Sequence, residues 1–348
     1  MKKVRVGIIG MGIGRPNARG ILRDPRGRVT ALCDLAEDRM KDFAGKLSEP
    51  PKMYTDYKKM FRDPEVDAVF VGTPNQSHVP IALDAVRAGK HVLVTKPLAD
   101  TAAAARTLVE EAEKSGLVNM MSLSHRFDEP VQYLGGRARE GDFGELYYAR
   151  AHSVRRSGIP DWNLGFIKKG GGAFRDMGVH VLDATWWIMG MPRPTGVLAV
   201  GGAKFGPRGE GFAHFRRVPK EHYEQYGADD YAAAMIRFEG GAGIQVESHW
   251  ASHQPQRFQI ELLGTDAGAR LRPLTIYRTE NGVAQDVSVA MPAQPERRWD
   301  HIAHHFIECI LDNTECAAPL RHGLVVQEML EAVLESAETG SEVRLGER

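Results

Sequence analysis

The chain is poor in cysteine. It has three in 348 residues, Cys33, Cys309 and Cys316, and none stands in a CxxC spacing. Neither a disulfide framework nor a structural zinc site is the expected basis of the fold, and a reducing cytoplasm is the expected compartment. No run of about 18 apolar residues occurs, so no membrane span is expected. The opening MKKVRVGIIG starts basic, but its apolar run breaks into glycines within a few residues, which argues against a signal peptide. Neither sign of charge is in excess: 45 Lys and Arg balance 45 Asp and Glu. A broad nucleic-acid or anionic-membrane partner would need a basic surplus. Internal repeats and low-complexity stretches are also missing.

What is present is an ordinary globular composition, 43% apolar and 26% charged. The length suggests roughly two domains of about 150 residues each. Short β-branched runs alternate with helical patterns through the first third. Strands are expected at Val4 to Ile9, Val29 to Cys33, Val66 to Val71, His91 to Val94 and Leu117 to Met121. Helices are expected at Pro16 to Arg23, Glu37 to Lys46, Ile81 to Ala88 and Thr101 to Ser115. This alternation implies parallel strands with crossover helices. The pattern changes near residue 123. Period-two runs follow at Glu145 to Val154, Val197 to Val200, Ala232 to Phe238, Gly243 to Trp250 and Arg257 to Leu263, two of them joined by Gly240-Gly241. This is the pattern of antiparallel hairpins. One helix, about Ala173 to Met189, interrupts the strands, and two more are expected at His301 to Leu311 and Gly323 to Thr339. The expected fold is α/β: a doubly wound parallel sheet over residues 1–123, then an α+β domain over 124–348 with a large open, mainly antiparallel sheet.

The first strand runs into Gly10-Met11-Gly12-Ile13-Gly14. Glycines between a strand and a helix let the backbone approach a pyrophosphate, which the helix N-terminus then attracts. The spacing is G-x-G-x-G, one residue shorter than G-x-G-x-x-G. Asp34 ends the second strand, 20 residues after Gly14. An acid there accepts hydrogen bonds from an adenosine ribose and repels a 2′-phosphate, which favours NAD over NADP; capping of the next helix is the plainer role. Arg39, a turn further on, would soften the preference. Later strands deliver Thr73-Pro74-Asn75, with His78 a turn beyond, and Thr95-Lys96-Pro97. Four successive strand ends carry polar or phosphate-compatible chemistry while the strand bodies are apolar. Ligands of open parallel sheets bind beyond those ends, so Lys96 is expected on the ligand side.

A second cluster lies in GGGAFRDMGVHVLD, residues 170–183. Asp176, His180 and Asp183 are spaced i, i+4, i+7 and share one face of a regular helix. An imidazole near neutral pKa takes a proton from an alcohol, and an adjacent carboxylate stabilises the imidazolium. A solvated polar face is the plainer reading, but Phe174, Met177, Val181, Leu182, Trp186 and Trp187 make this helix apolar almost all round. Arg126 either meets substrate or pairs within the protein. Arg156 and Trp162 are candidate pocket residues, and Trp162 equally suits a core. His301 and His305, at i, i+4, are read as exposed helix histidines rather than metal ligands, and no metal site is expected.

Together, VGIIGMG-IGR, ALCD, VDAVFVGTPNQSH, AGKHVLVTKPLA, GGGAFRDMGVHVLD with WIMGMP, FIECILDN and SAETGSEVRL resemble the Gfo/Idh/MocA oxidoreductases over essentially the full length. The resemblance implies a Rossmann domain, a C-terminal α/β domain whose open sheet mediates homodimers or homotetramers, a nicotinamide cofactor, and sugars, cyclitols or related polyols as substrates. It places the family lysine on Lys96 and the family Asp and His on Asp176 and His180. The lysine–proline bond is often cis in this family, which would hold the Lys96 ammonium firmly. The usual Glu-Lys-Pro is here Thr95-Lys96-Pro97, so the acid beside the lysine is missing. The expected activity is hydride transfer between NAD and a secondary hydroxyl. The alternatives are a redox-neutral, NAD-using hydrolase, lyase or epimerase of the same family, and a non-catalytic dinucleotide sensor.

Overall fold

β-Branched residues favour extended backbone, and runs of them buried on both faces are the mark of a parallel sheet covered by helices. The computed structural model describes residues 2–292 and 298–346. It divides into two compact units, Met1–Phe127 with Ala293–Gln327, and Asp128–Pro292 with Glu328–Arg348.

In the first unit, six strands are all parallel: β1 (Val4–Ile9), β2 (Gly27–Cys33), β3 (Lys52–Tyr54), β4 (Ala68–Val71), β5 (His91–Val94) and β6 (Asn119–Met121). Their order is β3-β2-β1-β4-β5-β6, so the winding reverses between β1 and β4. The carboxyl ends at such a reversal form the usual ligand crevice. Every residue of β4 is buried, and burial of each large apolar side chain contributes about 1.5–3 kcal/mol. The first helix, α1 (Gly14–Arg23), starts two residues before the expected Pro16. The helix Arg298–Leu311 packs on α1, where a Cβ on Gly20 would lie 2.5 Å from Trp299 O. Ion pairs Arg23–Asp300 and Arg26–Asp312, at 2.5 and 2.6 Å, join the same two segments.

In the second unit a mixed sheet holds β7 (Leu146–Val154), β8 (Pro194–Gly202), β9 (Tyr231–Phe238), β10 (Gly243–His249), β11 (Arg257–Gly264), β12 (Ala267–Arg270), β13 (Thr275–Glu280), β14 (Val283–Ser288) and β15 (Val343–Arg344). The order is β14-β13-β12-β11-β7-β10-β9-β8-β15. Only the β7–β10 pair is parallel among these described strands. The β9–β10 turn uses Gly240 and Gly241 at φ +81° and +93°, a region costly for residues with a Cβ. The helix Val179–Ile188 lies against β7, β10 and β11 and is buried on nearly every side. Trp187 is wedged beneath the helix Glu129–Arg139, where a Cβ on Gly135 would sit 2.3 Å from its ring.

Candidate active site

Three glycines shape the turn after β1, two of them for steric reasons. Gly10 has φ +87°, and a Cβ there would lie 2.4 Å from Gly72 O. Gly14 begins α1 against the sheet, and its Cβ would lie 2.7 Å from Ile8 Cγ2. Gly12 is different: a Cβ there meets nothing within 4 Å. Chain turn and helix packing therefore explain the outer glycines. The middle one borders open space, as a backbone approached by a pyrophosphate requires. The shortened spacing thus keeps a turn glycine, an unobstructed glycine and a packing glycine.

Asp34 fixes this turn from the end of β2. Its Oδ2 accepts the Met11 N–H at 2.7 Å and its Oδ1 accepts the Ala36 N–H at 2.9 Å. A carboxylate has about four acceptor positions, so capacity remains for ribose hydroxyls. Arg39 is exposed on the next helix, and its carbonyl accepts from Arg15 Nη2 at 3.3 Å.

The ends of β4 and β5 are tied together by His78. Its ring is fully buried, with Nε2 2.7 Å from Thr73 O and Nδ1 2.8 Å from Pro97 O. Burial lowers the pKa of this imidazole, while the two carbonyls oppose that shift. A neutral ring supplies one proton to the pair of carbonyls; the imidazolium supplies both. The His78 brace thus holds the Thr73-Pro74-Asn75 loop against the Thr95-Lys96-Pro97 loop. Pro74 is exposed and Asn75 half-buried, Thr95 is buried, Lys96 is half-buried, and the Lys96–Pro97 bond is cis. Thr73 Oγ1 is buried without a hydrogen-bond partner. Buried hydroxyls are normally satisfied, so this atom suits a polar ligand. The open side of Gly12, the Asp34 carboxylate and this hydroxyl fit a dinucleotide.

Arg126, in the same unit, is fully buried. Its Nη1 donates to Ala317 O at 2.8 Å and lies 3.0 Å from His322 Nδ1. Burial first, then Arg126, pushes the His322 imidazole down to about 3.

In the second unit the expected regular helix opens with a π-helical turn, Phe174–Gly178, and continues as an α-helix from Val179. Asp176 lies in the π turn and His180 in the first α turn, so the simple i, i+4 geometry is widened. π turns recur at functional sites. The start of the helix is held from outside. Asp229 Oδ2 accepts the Phe174 N–H at 2.9 Å, Asp229 O accepts the Ala173 N–H at 3.0 Å, and Ser248 Oγ donates to Ala173 O at 3.0 Å. Gly172 is obligatory here, since its Cβ would lie 1.8 Å from Asp229 Oδ1. Burial pushes the Asp229 carboxyl up to about 6, against the Phe174 amide that lowers it. Trp250, fully buried, donates its indole N–H to Asp176 Oδ2 at 3.0 Å. Asp176 and His180 are half-buried and Asp183 is buried. Arg156 is exposed, and Trp162 is 65% exposed with its ring edge-on to Phe166, so it is not a core anchor.

Sequence reasoning missed Trp250, Asp229 and Asp230. Asp230 is fully buried and its carboxylate gathers the N–H groups of Lys204, Phe205 and Gly206 at 2.7–3.0 Å. The adjacent acids before β9 were the available signal, because two carboxylates opening an apolar strand need partners.

Comparison with known proteins gives the family. Residues 4–123 match the model of the oxidoreductase family with an NAD-binding Rossmann fold, and residues 131–270 match the Gfo/Idh/MocA C-terminal domain. The chain belongs to the Gfo/Idh/MocA oxidoreductases. It is 29% identical over 321 residues to D-glucoside 3-dehydrogenase of Escherichia coli, covering 91% of this chain and 90% of that one. It is 29% identical over 264 residues to myo-inositol 2-dehydrogenase of Thermotoga maritima, covering 75% and 73%. An oxidoreductase domain protein from Kribbella flavida shares the fold over the whole of both chains, with a TM-score of 0.87 and 23% identity.

Proposed function

We propose that this protein is an NAD-dependent dehydrogenase of a secondary hydroxyl on a sugar, cyclitol or related polyol. The observation that carries the reading is that one chain holds both a β1 turn shaped for a dinucleotide and a buried helix that presents Asp176 and His180. The names of the glucoside and inositol dehydrogenase relatives support the substrate class.

Gly10, Gly12, Ile13 and Gly14 would hold the pyrophosphate, Asp34 the adenosine ribose, and Thr73, Pro74, Asn75 and Thr95 the nicotinamide side. Bound NAD⁺ supplies the hydride acceptor. His180 takes the hydroxyl proton as the carbon is oxidised, a role typically worth about 10²–10⁴-fold in rate. Lys96 stabilises the developing alkoxide and orients it. Asp176 binds a substrate hydroxyl and tunes His180, and Trp250 keeps the Asp176 carboxylate in place. Asp183 supports the helix from the buried side. Arg156 and Trp162 serve as outer substrate contacts, and Arg126 supports the first unit from within.

Oligomers form through the second unit's sheet on this reading. Leu198 and Met235, paired in register on β8 and β9, are 57% and 38% exposed, and Val200 is 64% exposed. Such apolar exposure is costly in a monomer. No helix among the described residues is long and apolar enough to cross a membrane, and we assign the protein to the cytoplasm.

The test is the absorbance of reduced nicotinamide when protein meets NAD or NADP with a panel of aldoses, inositols and glycosides. Signal with NAD and one substrate group is expected. Silence across the panel, with NAD recovered from the denatured protein, would replace this reading with redox-neutral chemistry.

A further inference from the structure

The helix Arg298–Leu311 carries His305 and Cys309 on one face, and the chain returns past it at Cys316. One donor atom from each of these three residues lies within 4.8 Å of the other two. Cys309 Sγ is 3.5 Å from His305 Nε2, and Cys316 Sγ is 3.9 Å from Asn119 O. Cys309 is buried, while Cys316 is partly exposed. His305 Nε2 already accepts the Ala317 N–H at 2.9 Å. Among the described residues no fourth His, Cys, Asp or Glu donor joins the group, whereas structural zinc sites are almost always four-coordinate. The arrangement suits two sulfurs reacting with each other better than a metal.

We propose that Cys309 and Cys316 are a modification site: a dithiol that hydrogen peroxide converts to a reversible intramolecular disulfide, with Cys316 reacting first. Cys316 is the more exposed residue of the two and stands beside the exposed turn 312–315. The hydrogen bond from Cys309 holds the Cys316 thiol pKa down, while sharing that bond and burial push the Cys309 thiol up. Thiolate character and exposure together set peroxide reactivity. The Cys316 thiolate attacks one peroxide oxygen; an S–O bond forms, the O–O bond breaks, and the hydroxide that leaves takes up the proton released when the thiol ionised, giving the first water. Cys309 sulfur then attacks the Cys316 sulfenic sulfur. The S–S bond forms, the S–O bond breaks, and the departing hydroxide takes the Cys309 proton as water. Both sulfurs are oxidised and the peroxide is reduced to two waters. Residues 312–315 between the helix and Cys316 are exposed, and Asn313 turns at φ +55°. A surface turn of this kind can yield as the sulfurs close to bonding distance.

The bond would tether a segment that completes the edge of the first unit's sheet. Ala317 O takes Arg126, Ala318 O takes the Met121 N–H at 2.8 Å, and Pro319 bridges Met120. Cys33 stays outside this chemistry, since burial pushes its thiol up to about 12.

The test treats reduced full-length protein with hydrogen peroxide, then alkylates it under denaturing conditions. The expected product is about 2 Da lighter before alkylation and takes one alkyl group, at Cys33, where the reduced protein takes three; it links the 309 and 316 peptides and reverts with dithiothreitol. Cys309→Ser should trap a Cys316 sulfenic acid that reacts with dimedone, and Cys316→Ser should show no mass loss. Three thiols still alkylatable in peroxide-treated wild type would overturn the proposal. So would a disulfide to Cys33, or stoichiometric zinc retained by the reduced protein with no peroxide reaction.

Discussion

The indole N–H of Trp250 points at Asp176 Oδ2 across 3.0 Å, from a ring with no solvent exposure. The donor sets the direction of one carboxylate oxygen on the π turn. The bond therefore fixes the acid that we place beside the substrate. Trp250→Phe keeps an aromatic ring and removes only the donor. A hydrogen bond to a charged group is worth about 1.5–3 kcal/mol, so kcat/KM should fall by about tenfold or more. NADH affinity, read by fluorescence titration, should stay unchanged. A variant within twofold of wild type in kcat/KM would show that Trp250 does not position Asp176.

The glycine turn separates fold from ligand. Gly10→Ala places a Cβ 2.4 Å from Gly72 O at φ +87° and should destabilise the protein by about 2 kcal/mol or more. Gly12→Ala adds a methyl to open space. Its melting temperature should match wild type within a degree or two, while its Kd for NAD rises at least about tenfold. Unimpaired NAD binding by Gly12→Ala would remove the pyrophosphate from this turn.

Asp34 holds the turn, and we propose that it also sets the cofactor preference. Asp34→Ser removes the charge that repels a 2′-phosphate and leaves Arg39 nearby in sequence. The ratio of kcat/KM for NAD over NADP should fall by about tenfold or more, because each factor of ten corresponds to about 1.4 kcal/mol. An unchanged ratio would leave Asp34 with a purely structural role.

Asp229 makes stability depend on pH. Its native pKa, about 6, lies above the ordinary carboxylate range because the group is buried. The native state thus binds this proton more tightly than the unfolded state does. Stability from this group is present below the ordinary pKa and is lost as pH rises through about 6. Two units correspond to at most about 3 kcal/mol. Asp229→Asn abolishes the titration and keeps an acceptor for the Phe174 N–H. The melting temperature of the variant minus that of wild type should therefore rise by a few degrees between pH 5 and pH 8. A constant gap across that range would contradict the burial of this carboxylate.

Much of the parallel sheet was legible in the sequence because its strands are continuous apolar runs. Val4–Ile9 and His91–Val94 coincide with the expected bounds. β3 escaped notice because three residues, KMY, carry no period and none is buried. β14 escaped for a related reason: with almost every residue exposed, neither face is distinguished. The helix Glu129–Arg139 contains Gly135-Gly136 and reads as loop until Trp187 is seen to need that gap. The polar strand ends were readable because these residues stood out against apolar strands. His78 was readable as part of that edge, but its role as a brace depends on carbonyls that belong to other segments and leave no trace in composition. The π turn was unreadable for the same reason, since Asp229, 53 residues after Asp176, holds the start of its helix.

The most direct test of the central claim is the turnover of His180→Ala with the best polyol found for wild type. If His180 takes the hydroxyl proton, kcat falls at least about a hundredfold while the Kd for NADH stays within a few-fold of wild type. Near-normal turnover with intact NADH binding would contradict the account and remove the proton acceptor from this helix.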